Sequence, residues 1–378
     1  MRIACNVRLL KKNKLDGIGW FTYETLKRIT RNHPEHEFVF ISDHSPDEEF
    51  IFSDNITKAV TPPPARHPLL WYVWLEWSLP VLLKKYKPDI FLSPDGFLPL
   101  SPDIPMLPVI HDINFHHRPE DLPFFNRTYY RHFFPKFAAK ATRIATVSEY
   151  SKNDIAQSYG IEESRIHVVY NGVNELYKPL NPDEKENARR RFSMGAPYFV
   201  FIGTLHPRKN VNNLLKAFDI FRNTVSDFKL IIVGDKLFKT GEITKTWKSM
   251  KNHDDVIFVG RHEPATLHRI LGASEALTYF PFFEGFGIPL VEAMYSEIPV
   301  LASNATSIPE VAGNAAIYTD PENISAITEL MKRIVVDKKL KENLIHEGKI
   351  QREKYSWDRS ADALWDAILH TVNAKKPC

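Results

Sequence analysis

Glu284 and Glu292 bracket seven residues, among them Gly285, Gly287 and Pro289. Carboxylates accept hydrogen bonds from hydroxyls, and glycines let a ligand approach the backbone closely. The apolar run 276–280 reads as a short buried strand, and Pro289 suits the first turn of a helix. The stretch is therefore strand, glycine loop, helix. The new helix offers unpaired N–H groups and a positive dipole end, which suit a phosphate. Glu284 sits in the loop, facing a ligand, and Glu292 about one turn into the helix, within reach of hydroxyls. An ordinary βα turn with two solvated glutamates is the plain alternative. The spacing of the pair around Phe286, Gly287 and Pro289 is more specific than that.

A second candidate is the run Gly203, Thr204, Leu205, His206, Pro207, Arg208, Lys209 and Asn210, which follows an apolar strand and leads into a helix near Asn210. Cations are unfavourable at a helix N-terminus unless an anion compensates. Arg208 and Lys209 at that place predict an anion site, with arginine able to hold a phosphate through two bonds. A basic solvated loop is the alternative. The loop Asp16-Gly17-Ile18-Gly19, between the first strand and the first helix, either wraps a diphosphate or makes a simple turn. It lacks the third glycine of the dinucleotide fingerprint. His111 and Asp112 end another apolar run, where ligands bind in open α/β sheets, though a capping aspartate beside a bystander histidine fits equally.

These loops require strands to carry them. Short apolar runs predict strands over 3–7, 37–41, 89–93, 106–110, 143–147 and 167–169, with helices over 19–31, 69–86, 124–140 and 149–158, the last capped by Ser148. Asn171-Gly172 is a turn signal and reads as a hinge. Residues 177–195 read as a polar linker with a short helix. A second series follows, with strands over 198–202, 229–233, 256–259, 276–279, 299–302 and 315–318 and helical segments over 321–336, 338–354 and 357–372. The pattern is α/β: two Rossmann-like parallel-sheet domains, 1–177 and 178–356, facing a central cleft.

Composition narrows the class. A net charge of +3 is too small to argue for nucleic acid, and no apolar run is long enough to span a membrane. The N-terminus lacks the features of a secretory signal, so a cytoplasmic setting is expected. Cys5 and Cys378 suggest neither a disulfide framework nor a metal site, and no Asp-x-Asp occurs, so no metal is expected. Trp71, Trp74 and Trp77 precede Lys84, Lys85 and Lys87, and Arg118, Arg127, Arg131 and Lys136 run among many aromatics. Such segments suit peripheral contact with the inner face of a membrane, or core aromatics under a solvated basic face. Single strands of nucleic acid favour similar surfaces, but no nucleic-acid motif accompanies them.

The stretch from Glu284 to Glu292 resembles the Glu-x7-Glu motif of the retaining glycosyltransferases of family four, the group 1 glycosyltransferases of GT-B fold. Arg208-Lys209 is similar to the family's cation pair, and Asn171-Gly172-Val173 to its Asn-Gly-Val. The resemblance implies a metal-independent enzyme without cofactor, binding a nucleotide-diphosphate sugar in the second domain and a glycan or lipid-linked glycan acceptor in the first. The last helix, within 357–378, would pack back on the first domain. Arg208 and Lys209 would neutralise the donor diphosphate, Glu292 would hold ribose hydroxyls, and Glu284 and His111 would meet the sugar. Thr204, Gly285, Phe286, Gly287, Ile288 and Leu290 would line the donor, with Arg261 and His262 near its base. The loop of Gly17 and Gly19 would approach its phosphates or the acceptor, although Asp16 stands where family members often carry a glycine. Tyr295-Ser296-Glu297 departs from the small residues and glycine that commonly end the helix. The His111-Asp112 pair, the 147–151 run and 207–210 look most like mannosyltransferases of bacterial polysaccharide assembly, which implies GDP-mannose. A UDP-sugar donor, a sugar-nucleotide epimerase of related architecture and a non-catalytic sugar-nucleotide-binding subunit are the alternatives.

Overall fold

The computed structural model describes residues 1–235 and 241–374. The chain divides into two compact units, Met1–Gly172 with the segment from Ser356, and Val173–Tyr355. Tyr177, placed with the first domain by the sequence pattern, belongs to the second: its ring packs edge-on to His268, 5.8 Å between centroids.

The first unit holds β1 (Arg2–Asn6), β2 (Glu37–Ser42), β3 (Ile56–Val60), β4 (Ile90–Ser93) and β5 (Met106–Pro108), all parallel, in the order β3-β2-β1-β4-β5. The expected strand over 106–110 is divided. After Pro108, which has no N–H, Val109 bridges Ala145, leading on to β6 (Ile144–Thr146) and β7 (Ile166–Val168). β3 escaped the sequence reading because it is an edge strand that exposes Thr57, Lys58 and Val60, and so lacks apolar alternation. The expected helix over 69–86 comes as Pro68–Val73, a π-helical turn Trp74–Ser78, and Leu79–Tyr86. Pro80 cannot donate to the Glu76 carbonyl and its ring crowds it, and the wider turn just before relieves that clash. The aromatic segments are partly core and partly exposed. Trp74, Phe134 and Phe137 are in the core, whereas Leu69, Tyr72, Trp77, Val81, Phe124 and Phe125 are exposed.

The helix Trp357–Asn373 belongs to this first unit. Arg28 pairs with Asp358 at 2.5 Å, and His33 stacks on Trp365 at 3.7 Å. Cys378 lies outside the described residues. Gly172 is where this return crosses the chain. A Cβ there would stand 2.2 Å from the Trp357 nitrogen, so the glycine serves close backbone approach rather than the turn its Asn-Gly sequence suggests.

In the second unit β8 (Tyr198–Ile202), β9 (Lys229–Val233), β10 (Val256–Gly260), β11 (Ala276–Tyr279), β12 (Val300–Ser303) and β13 (Ala316–Thr319) form one parallel sheet in the order β10-β9-β8-β11-β12-β13. The linker region contains a full helix, Pro182–Ser193, started by a capping box between Asn181 and Glu184. The helix Ile288–Tyr295 ends in a Schellman turn, with Ile298 N–H donating to Ala293 O at 2.9 Å and Glu297 at φ 56°. Glu297 thus occupies the left-handed position that glycine usually takes.

In each sheet the chain order reverses once, between β1 and β4 and between β8 and β11. Ligands of open α/β sheets bind beyond the C-terminal ends of the strands at such points.

Gly172→Ala is expected to destabilise the protein by about 2–3 kcal/mol, since the clash is with backbone that cannot rotate away. A denaturant midpoint equal to that of the unchanged protein would contradict this.

Candidate active site

The loops after β8 and β11 meet at the second sheet's reversal. After β8, Pro207–Lys209 form a 3₁₀ turn before the helix Val211–Arg222. After β11, the chain runs through Phe280–Gly287, tied down along its length. Phe282 N–H donates to Arg208 O at 2.8 Å, Glu284 N–H to Thr306 Oγ1 at 3.1 Å, and Ser307 Oγ to Glu284 O at 2.9 Å. Phe280, Phe283 and Phe286 are buried and anchor the loop.

This framework sets Arg208, Lys209 and Glu284 side by side. Arg208 Nη1 donates to Glu284 Oε2 at 3.0 Å and to Phe283 O at 3.0 Å. Lys209 Nζ pairs with the same carboxylate oxygen and donates to the Tyr279 hydroxyl at 2.8 Å. That hydroxyl donates in turn to Glu284 Oε2 at 2.9 Å. Glu284 thus pairs with both cations through Oε2. Burial would raise its carboxyl, but the charges of Arg208 and Lys209 win and hold it down at about 2. Arg208 and Lys209 thus converge on one carboxylate oxygen.

Glu292, on the helix Ile288–Tyr295, is in the opposite condition. Burial pushes its carboxyl up to about 7, with only a hydrogen bond to Tyr177 opposing the shift. Tyr279 is pushed well above its usual value, by burial first and then by Glu284. No side chain caps this helix, whose N-cap is Gly287 at φ 93°, a conformation that favours glycine.

Gly285 and Leu290 are buried in this loop and helix start, and Ile288 is half-buried there. Thr204 is exposed on the loop after β8. Arg261 and His262 follow β10, two strands from β8, and His262 packs edge-on to Phe192. Gly17, Gly19 and His111 lie in the first unit. There Asp16 Oδ1 accepts the Gly19 N–H at 2.9 Å. Asp16 is thus the N-cap of the first helix and occupies the Gly19 donor. His111 Nε2 bonds the Pro94 carbonyl at 2.9 Å, and burial lowers the imidazole's pKa. The ring is therefore neutral with Nε2–H donating, which leaves Nδ1 as an acceptor.

Sequence reasoning missed Tyr279 and Tyr177. Tyr279 read as a strand's last residue, yet a tyrosine closing a strand beside a sheet's reversal is itself a signal. Tyr177 read as linker and offered none.

Residues 182–351 match the family described as glycosyl transferases group 1, and residues 15–175 match glycosyltransferase family 4. The chain belongs to the family-four glycosyltransferases. It is 27% identical over 296 residues to the O-antigen chain mannosyltransferase B of Escherichia coli, covering 78% of this chain and 76% of that one. It is 27% identical over 281 residues to the O-antigen chain mannosyltransferase RfbU of Salmonella typhimurium, covering 74% of each. HepE of Anabaena, solved with UDP-glucose, superposes with a TM-score of 0.76 at 16% identity, covering 98% of this chain and 99% of that one. The fold of this glycosyltransferase is GT-B, with its two parallel-sheet Rossmann-like units.

The glutamates of this glycosyltransferase act oppositely on stability. Glu284 stabilises the fold above its unfolded value near 4.5, and that contribution is lost as pH falls toward 2. Glu292 is stabilising below 4.5, and its contribution is lost as pH rises through about 7. At pH 8, Glu284→Gln is expected to lower stability by about 3–5 kcal/mol. Glu292→Gln is expected to raise it and to flatten the pH dependence between 4.5 and 7. Urea unfolding across that pH range checks both, and equal signs for the two variants would contradict the assignment.

Proposed function

We propose that this glycosyltransferase moves mannose from GDP-mannose to a glycan or lipid-linked glycan acceptor, with retention of anomeric configuration and without a metal or other cofactor. The observation that carries this is the Arg208–Lys209–Glu284 cluster at the β8/β11 reversal. Two cations held over one carboxylate, beside an uncapped helix start, suit a diphosphate. The mannosyltransferase relatives support the choice of sugar.

In this reading the bond from the sugar's anomeric carbon to the β-phosphate oxygen breaks, and the acceptor oxygen bonds that carbon on the same face. The departing phosphate takes the acceptor's proton. Charge grows on the leaving diphosphate, and Arg208 and Lys209 stabilise it where it grows. Glu284 is a positioning residue, because it aims both cations. Glu292, poised near 7, holds the ribose hydroxyls. The lone pair on His111 Nδ1 suits a sugar hydroxyl.

Thermal unfolding with GDP, UDP, ADP or dTDP at equal concentration, without metal, is expected to show a shift with GDP alone. At a hundred times the dissociation constant the stabilisation is about 2.7 kcal/mol. Transfer from GDP-mannose is expected to persist in EDTA and to fall about 10²–10³-fold in Lys209→Ala. A shift with UDP alone would replace the donor, and loss of turnover in EDTA would overturn metal independence.

A further inference from the structure

The reversal of the first sheet, between β1 and β4, carries a polar cluster of its own. Asn6 Nδ2 donates to Asp95 Oδ1 at 2.8 Å, Ser93 Oγ to the same oxygen at 2.9 Å, and Arg8 Nε to Asp95 Oδ2 at 2.6 Å. Both carboxylate oxygens are thus engaged. The Arg8 guanidinium lies 4.3 Å over the Phe97 ring, and its side chain is only 7% exposed. Guanidinium carries five N–H donors, and this one uses Nε alone. Its terminal nitrogens bond nothing among the described residues, and they are not among the buried atoms left without a partner, so solvent reaches them. A charge so deeply set, with its outer fork unpaired, is costly for the free protein.

Other cations stand on neighbouring loops at the same end of the sheet. Lys11 and Lys14 lie in the same loop after β1, and Arg66 in the loop after β3. Burial lowers the Lys11 ammonium from its usual range. Asp43 opposes that shift, and Arg66, Arg8 and Lys14 add to it. Asp43 is itself committed, to His44 at 2.7 Å and to the Ala65 N–H at 2.6 Å. Neither Lys11, Lys14 nor Arg66 forms an ion pair among the described residues. Asp95 and Asp43 are both already hydrogen-bonded, at the place where open sheets take ligands. The hydroxyl of Tyr129, whose pKa is raised by burial and lowered by Arg8, borders the same cluster.

We propose that the ends of β1 and β3 form an oxyanion site, with the Arg8 fork as its base and Lys11 and Arg66 as its further charges, and that it receives a phosphoryl group carried by the acceptor. This rests on the reading that the first unit binds the acceptor. Asp95 fixes Arg8 so that the fork is set before the ligand arrives.

The test is titration of inorganic pyrophosphate into the protein saturated with GDP, followed by phosphorus NMR. Arg8→Met is expected to weaken pyrophosphate about tenfold or more while GDP still binds. Should Arg8→Met alone fail to fold, Arg8→Met with Asp95→Asn removes the buried pair together. Lys11→Met alters the more exposed side and is expected to give a loss in the same direction. Decyl diphosphate bound more tightly than pyrophosphate would assign a lipid-borne phosphoryl group, and equal binding a soluble one. Pyrophosphate that fails to bind, or binds equally to all variants, overturns the site. Failure of GDP to bind would instead count against the donor reading, independently of Arg8.

Discussion

One carboxylate oxygen, Glu284 Oε2, takes Arg208, Lys209 and Tyr279 together. Without it, two cations on a tight turn would repel each other beside a helix start whose dipole is already positive. With it, both are fixed on one oxygen. The loops around the cluster exist to hold that oxygen still. Phe280, Phe283 and Phe286 pin the chain on the apolar side, while Thr306 and Ser307 grip the Glu284 backbone. The first glutamate of the motif is thus held by the cations, and the second, Glu292, has its carboxyl pushed up to about 7 by burial.

Much of this was legible because chemistry and element ends coincide. The Glu284–Glu292 spacing, Pro289 and the 208–209 pair each mark a strand-to-helix turn, and all are brought to the β8/β11 reversal or the helix leaving it. Ser148 caps its helix as read, accepting from Ser151 N–H at 3.0 Å. Other features depend on partners far away in sequence. Nothing near Gly172 announces that Trp357 will cross it, and nothing in 177 announces Glu292. The π turn at Trp74–Ser78 follows from Pro80, yet a proline two residues into a helix also reads as an ordinary start. Asp16 shows the reverse case. The sequence showed a glycine loop there, and the aspartate beside it serves as the helix cap.

The two units place charge at equivalent points of the same sheet plan. In each, residues after a central strand and its neighbour across the reversal form a buried ion pair, Arg8 with Asp95 and Lys209 with Glu284. In each, the acidic partner holds a cation in place rather than cancelling all of the surrounding charge. The shared constraint is that a cation set for a ligand needs a protein anion to keep it there when the ligand is absent.

The central claim is that Arg208 and Lys209, aimed by Glu284, recognise the β-phosphate of the donor nucleotide. The most direct measurement is calorimetric binding of GDP and GMP to the unchanged protein and to Lys209→Met. The account predicts that the unchanged protein prefers GDP by about tenfold or more and that the variant loses most of that preference while GMP binding stays close to its original strength. An undiminished preference for GDP in Lys209→Met would contradict it.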